Sequence, residues 1–191
     1  MTLAPWRSIL ARALHRNRSL PYARYFQLAT VSADGRPANR TVVFRDFLEG
    51  TNRLKIVTDV RSEKVVQLSL QPWAEACWYF PNTREQFRLQ GQLLLIDAKA
   101  PEPQQSWRYQ AWQVLSEAAR AQFSWPTPAQ PRQPETLFTS AAPDAVEPLT
   151  NFCLLLLEPV SVDHLELRGS PQDRTVYQLC EGDWTVQSLN P

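Results

Sequence analysis

The stretch from Arg40 to Gln90 reads RTVVFRDFLEGTNRLKIVTDVRSEKVVQLSLQPWAEACWYFPNTREQFRLQ. Its first eight residues, Arg40 to Phe47, are β-branched and aromatic between two arginines, the composition of a strand. Leu48 to Asn52, with Gly50, turns the chain back into a second strand from Leu54 to Thr58. Ser62 then opens a helix that runs to Leu70. It is a favoured N-cap, and Glu63 in the first turn suits the positive end of the helix dipole. Pro72 stops the helix. Ala74 to Phe80 and Glu85 to Asp97 form a hairpin across Pro81-Asn82-Thr83, and Gly91 in the long second strand predicts a bulge. Strand runs interrupted by one short helix point to a mainly β, antiparallel barrel and away from a parallel α/β sheet.

The rest of the chain extends this pattern. Trp6, Leu10, Ala13 and Leu14 make a helical apolar stripe ahead of Pro21. Tyr25 to Val31 reads as a strand, followed by turn chemistry at Ala33-Asp34-Gly35. Pro103 to Phe123 reads as one helix with Trp107, Ala111, Val114, Leu115 and Ala118 on its buried face. Residues 124 to 150 are polar and rich in proline, a length that in a compact domain is usually functional or mobile. Phe152 to Leu157 reads as a fully apolar strand and Val160 to Leu167 as an alternating one. Arg174 to Leu179 and Trp184 to Leu189 form a last hairpin across Glu181-Gly182-Asp183. The expected organisation is a single domain, 1–191, with a helical and Pro-rich insertion at about 99–150.

Composition narrows the function. A net charge of +1 offers no electrostatic case for nucleic acid. No apolar run approaches the ~18 residues of a membrane span. Cys77, Cys153 and Cys180 are odd in number and far apart, which argues against a disulfide framework or structural zinc and for buried free thiols in a cytoplasmic, reducing compartment. The first 33 residues hold five arginines and no acid, as a transit peptide would. The apolar stripe favours a helix that lies on the barrel and exposes those arginines. His15 and His164 are the only histidines, too few converging ligands for a metal site.

One constellation carries chemistry. A helix N-terminus offers unpaired N–H groups and a positive dipole end. At Ser62 it is joined by the charges of Arg40 and Lys64 and the hydroxyls of Thr58 and Ser62, which together suit a phosphate dianion. No nucleophile–base pair is evident, which argues against hydrolysis.

The ordered set of motifs resembles the pyridoxamine 5'-phosphate oxidase family of FMN-binding split barrels. Arg40-Thr41-Val42-Val43-Phe44-Arg45 is similar to its Arg-to-basic strand, and Val57-Thr58 to its aromatic-Thr pair. Ser62-Glu63-Lys64 is similar to its Ser-Arg-Lys helix start. Glu85-Gln86-Phe87-Arg88, with Gly91 beyond, follows its Arg-Gln-x-Arg strand, and Arg174 with Tyr177-Gln178 its C-terminal Arg-x-x-Tyr-Gln. The chain closes on Leu189-Asn190-Pro191 as the family does on Leu-x-Pro.

The resemblance implies a split β-barrel homodimer with two FMN molecules at the interface. Arg40, Thr58, Ser62 and Lys64 would hold the phosphate and ribityl chain, beside Val57. Thr41, Val42 and Val43 would line the ring through backbone groups, and Arg45 would sit near its reactive side. Gln86 would meet the pyrimidine edge, since an amide donates and accepts at once, and Arg174 would approach from the partner. Trp125 is the aromatic placed to cover a ring face. Arg40 and Arg45 are five apart, so a regular strand turns them to opposite sides.

The departures fall on the substrate side. The family's substrate-phosphate Arg and its neighbouring His would fall near Ser170 and Gln172. Glu63 replaces a basic residue and opposes a phosphate unless it points outward. The favoured expectation is an FMN-dependent oxidoreductase on a small molecule other than pyridoxamine phosphate, with its catalytic residues unassigned. A genuine pyridoxamine/pyridoxine 5'-phosphate oxidase and a non-catalytic flavin- or haem-binding protein remain the alternatives.

Overall fold

The computed structural model describes residues 3–139, 141 and 143–191. Helix α1 (Pro5–Arg16) precedes strands β1 (Tyr25–Val31), β2 (Pro37–Val43), β3 (Asp46–Phe47) and β4 (Leu54–Asp59). Helix α2 (Glu63–Leu70) leads to β5 (Trp73–Phe80) and β6 (Glu85–Ile96). Helices α3 (Gln104–Gln113) and α4 (Glu117–Ala121) follow, then β7 (Phe152–Glu166), β8 (Asp173–Cys180) and β9 (Asp183–Leu189). The strands form one antiparallel sheet in the order β2-β1-β5-β6-β7-β4-β3, with the β8–β9 hairpin branching from β7. Only Phe44 and Arg45 separate β2 from β3, so the two ends of the order meet and the sheet curls into a half-open barrel.

The barrel interior is apolar. Trp78, Phe26, Phe80 and Phe87 are fully buried there with Leu28, Leu89 and Ile56, and Trp6 of α1 caps one end. A second cluster lies outside the sheet, where Trp112, Ala111 and Leu115 cover Phe152, Leu154 and Leu156. β7 therefore has a core on each side, and Phe152 to Leu157 are all buried within the single chain. Buried in this way, they give no argument for a dimer.

Four local expectations change. The strand predicted to run from Arg40 to Phe47 breaks after Val43, where the chain leaves one end of the sheet for the other. The single helix predicted over 103–123 is two helices. Ser116 accepts a hydrogen bond from the Ala119 N–H as the N-cap of α4, and Val114 at the break is 78% exposed. The two C-terminal strands are one, because Pro159, which has no N–H to give, sits where the register shifts. Cys180 is exposed on β8 and Cys77 is half-buried, so Cys153 is the core thiol of the three.

That shift is a one-residue bulge: Gln90 pairs with Ser161 while Gly91 pairs with Pro159. It exchanges the faces of β7, since an extra residue reverses the alternation. Leu155 and Leu157 point into the barrel before the bulge, and Val162 does so after it. Gly91 permits the close crossing, because a Cβ there would lie 2.0 Å from the Glu158 carbonyl oxygen.

Candidate functional site

The end of β4, the start of α2 and the inner face of β2 meet at one corner of the barrel. Thr58 Oγ1 and Ser62 Oγ lie 3.1 Å apart, and the Lys64 ammonium donates to both, at 3.0 and 3.2 Å. Ser62 occupies the N-cap, but its hydroxyl donates to the Asp59 carbonyl at 2.7 Å and does not cap the helix. The N-terminal N–H groups of α2 are thereby left to another acceptor.

Arg40 reaches the same corner from β2. Its guanidinium donates to Gln67 Oε1 at 2.9 Å, to the Thr30 hydroxyl and to the Leu28 carbonyl. Gln67 and Thr30 are buried, and Thr30 donates to Gln67 at 2.6 Å. Neither residue stands out in the sequence; each is recognised only by what it holds. Glu63 is exposed and accepts from Gln67 Nε2 at 3.1 Å, so it points outward and braces the network.

The electrostatics of this corner are incomplete. Among the described residues, Arg40 and Lys64 donate only to neutral oxygens. Burial, then the Arg40 charge, push the Lys64 pKa below its ordinary value, and burial does the same to Arg40. Two half-buried cations with no ion-pair partner among the described residues, although Glu63 and Asp59 act on their charge through space, lie beside two hydroxyls and a helix N-terminus, a setting that suits a phosphate dianion. The residues present fit that group.

The other predicted residues divide by sheet face. Thr41 is exposed, Val42 is buried in the core and Val43 is half-buried on β2, an end strand that pairs with β1 alone. The outer backbone edge of β2 is therefore available to a ligand, as ring contacts through backbone groups require. Arg45, beyond the break, is half-buried and its Nε has no partner among the described residues. Val57 turns its side chain to the outer cluster.

Gln86 and Arg174 lie on the outer face, away from Arg40 and Lys64. Phe87 and Leu89 of β6 point into the barrel, so Gln86 points out, beside Cys77. Arg174 grips Asp163 with two bonds at 2.7 and 3.0 Å. One chain thus does not bring Gln86 and Arg174 to the phosphate corner.

His164 is the centre of a buried cluster. Glu85 lies 3.0 Å from its Nε2 and Glu166 4.0 Å from its Nδ1. Glu85, His164 and Glu166 each offer one ligand atom within 4.8 Å of the others, a convergence of ligands that the sequence reading did not expect. Burial raises the Glu85 carboxyl, but bonds from His164 and Thr83 outweigh it and hold its pKa below the usual range. Trp125 stacks edge-on with Phe138 in the Pro-rich segment.

Comparison with known proteins adds the family. The profile described as "Pyridoxamine 5'-phosphate oxidase, FMN-binding domain" matches residues 3–97. The chain is 39% identical to "Pyridoxine/pyridoxamine 5'-phosphate oxidase 2" of Arabidopsis thaliana, over 99% of this chain and 98% of that protein. It is 30% identical to a "Pyridoxine/pyridoxamine 5'-phosphate oxidase" of Acinetobacter baumannii, over 94% of this chain and 82% of the relative. A crystal structure of a pyridoxamine 5'-phosphate oxidase-related, FMN-binding protein from Nostoc punctiforme superimposes with a TM-score of 0.98 at 58% identity, covering 100% of both chains. With the curled antiparallel sheet and the anion corner, these matches make the chain a member of the pyridoxamine 5'-phosphate oxidase-like family of FMN-binding split barrels, with FMN as its cofactor.

Proposed function

We propose that this protein is an FMN-dependent oxidoreductase acting on a small molecule other than pyridoxamine 5'-phosphate. The observation that carries the cofactor half is the pair of cations, Arg40 and Lys64, set among neutral oxygens. They bind the phosphate, and the Thr58–Ser62 turn places the Lys64 ammonium and the N–H groups at the start of α2 toward it. The β2 edge at Thr41–Val43 presents backbone groups to the ring, and Arg45 adds positive charge beside it. Gln86 and Arg174 lie on the other face, which fits a homodimer in which a second copy supplies them. In that assembly Arg174 exchanges Asp163 for the ring. Bound FMN supplies hydride acceptance, and the protein supplies position and electrostatics.

The substrate half rests on Ser170 and Gln172. Both are neutral; Arg168, two residues before Ser170, directs its guanidinium to the Asn82 carbonyl, and Arg174, two residues after Gln172, is held by Asp163. A substrate phosphate held without fixed positive charge loses a few kcal/mol, and about 1.4 kcal/mol is already tenfold. Protein saturated with FMN is therefore expected to show no steady conversion of pyridoxamine or pyridoxine 5'-phosphate, measured as pyridoxal 5'-phosphate formed. Multiple turnovers at micromolar substrate would establish the second reading, a genuine oxidase, which the full-length match to relatives of that name favours. A flavin that stays oxidised with every small amine, alcohol and thiol offered anaerobically, and yields only to dithionite, would point to a non-catalytic flavin protein.

The phosphate assignment has its own test. Most of the proposed contacts surround the phosphate, so FMN is expected to bind and riboflavin to bind at least tenfold more weakly. Titration by quenching of flavin fluorescence reads both constants. Equal affinities would remove the phosphate from the corner.

A further inference from the structure

Arg61 makes no hydrogen bond to Arg40, Thr58, Ser62 or Lys64, yet its guanidinium is held by several partners. Its Nε and Nη2 grip the Asp59 carboxylate at 2.9 and 2.6 Å. The same Nη2 reaches the carbonyl oxygens of Trp125 at 3.1 Å and Phe123 at 3.5 Å. Asn151, just before β7, completes the knot. Its Nδ2 donates to Asp59 Oδ2 at 2.9 Å and to the Phe123 carbonyl at 2.8 Å, and its own carbonyl accepts from the Val60 N–H at 2.8 Å. Burial would raise the Asp59 carboxyl, but Arg61 and Asn151 hold its pKa below the usual range, so the knot stays charged at neutral pH.

Asp59 belongs to two structures at once. Its carboxylate anchors the knot, and its carbonyl accepts from both the hydroxyl and the N–H of Ser62, at 2.7 and 3.0 Å. Thr58, the adjoining residue, supplies the other hydroxyl of the corner. Whatever fixes Asp59 therefore fixes the Thr58–Ser62 turn, whose two hydroxyls hold the Lys64 ammonium in the phosphate corner. The knot also seats the start of the Pro-rich segment. Asp59 and Arg61 form one side of a cavity of about 500 Å³ whose other side is Phe123, Trp125, Arg132 and Phe138.

We propose that Arg61, with Asn151, is a positioning residue for the cofactor. It locks Asp59, and through Asp59 the Thr58–Ser62 turn, while holding residues 123–125 as a wall beside the phosphate corner. The inference rests on the FMN assignment above, and its test separates the two.

The full chain is compared with Arg61→Ala, Arg61→Lys and Asn151→Ala. Two quantities are read: the FMN dissociation constant, and the rate at which trypsin cuts the cofactor-free protein after Arg132. Arg132 is the only Lys or Arg between residues 121 and 167, so that cut reports the freedom of the segment alone. Arg61→Ala and Asn151→Ala should each weaken FMN binding about tenfold and speed the cut after Arg132 about tenfold. Arg61→Lys keeps the charge without the fork and should behave like Arg61→Ala. If Arg61→Ala does not fold, Asn151→Ala carries the same two expectations. A faster cut with unchanged FMN affinity overturns the proposal, because the knot then serves the segment only. Weakened binding with an unchanged cut, or a fully functional Arg61→Lys, also overturns it, because the charge then acts without the knot. Failure of the parent chain to bind FMN would instead strike the cofactor assignment.

Discussion

Replacing Arg40 and Lys64 together by alanine is expected to abolish FMN binding at micromolar concentration while leaving the fold intact. A hydrogen bond to a charged group contributes about 1.5–3 kcal/mol. Two such losses amount to about 3–6 kcal/mol, or roughly 10²–10⁴ in affinity. The two residues share one phosphate, so the double variant can depart from the sum of the singles, and the full cycle should be measured. The fold survives because the inner partners remain paired: Thr30 still donates to Gln67 without Arg40. Cofactor-free protein should gain stability. Lys64 is held below its ordinary pKa by burial and by Arg40, so the folded state carries a charge it would rather lose. The cofactor-free Lys64→Met variant should therefore melt at or above the parent. Fluorescence titration and a thermal melt on the same samples check both halves. Parental affinity in the double variant would place FMN elsewhere. A large drop in melting temperature would make the two cations structural.

Gly91→Ala is expected to leave little folded protein. The added Cβ would lie 2.0 Å from the Glu158 carbonyl oxygen and 2.8 Å from the Pro159 Cα. Both are backbone atoms in the centre of the sheet, so relief requires moving β6 from β7 across their longest pairing. A cost above about 4 kcal/mol belongs to this kind of lesion, a large share of the roughly 5–15 kcal/mol that holds an ordinary domain together. Gly35→Ala is the control. Gly35 has a φ of 80° with nothing near its Cβ position, so the change costs about 1–2 kcal/mol of backbone strain alone. Urea unfolding of the two variants should separate them clearly. A Gly91→Ala protein within about 1 kcal/mol of the parent would show that the crossing at Glu158 can open.

Much of this site can be read from the chain. The helix start at Ser62, the two basic residues and the strand ends are local patterns. Alternation on β5 and β6 predicts their inward faces from the sequence, since side chains in a strand have period two. Hidden from that reading were Thr30, Gln67, Asp59, Arg61 and Asn151. Their importance lies in partners 27 to 92 residues away, as when Asn151 bonds Asp59.

The sequence by itself determined the antiparallel run of strands up to β6 with its one short helix, the bulge at Gly91 and the residue types of the anion corner. Each of these depends on neighbours within a few positions. Only the tertiary structure decided that Glu63 turns outward, that β7 is one strand with a core on each side, and that Gln86 and Arg174 face away from Arg40 and Lys64. A reversed alternation after one extra residue cannot be seen until the partner strand is in place, because the face a side chain occupies is a property of the pair.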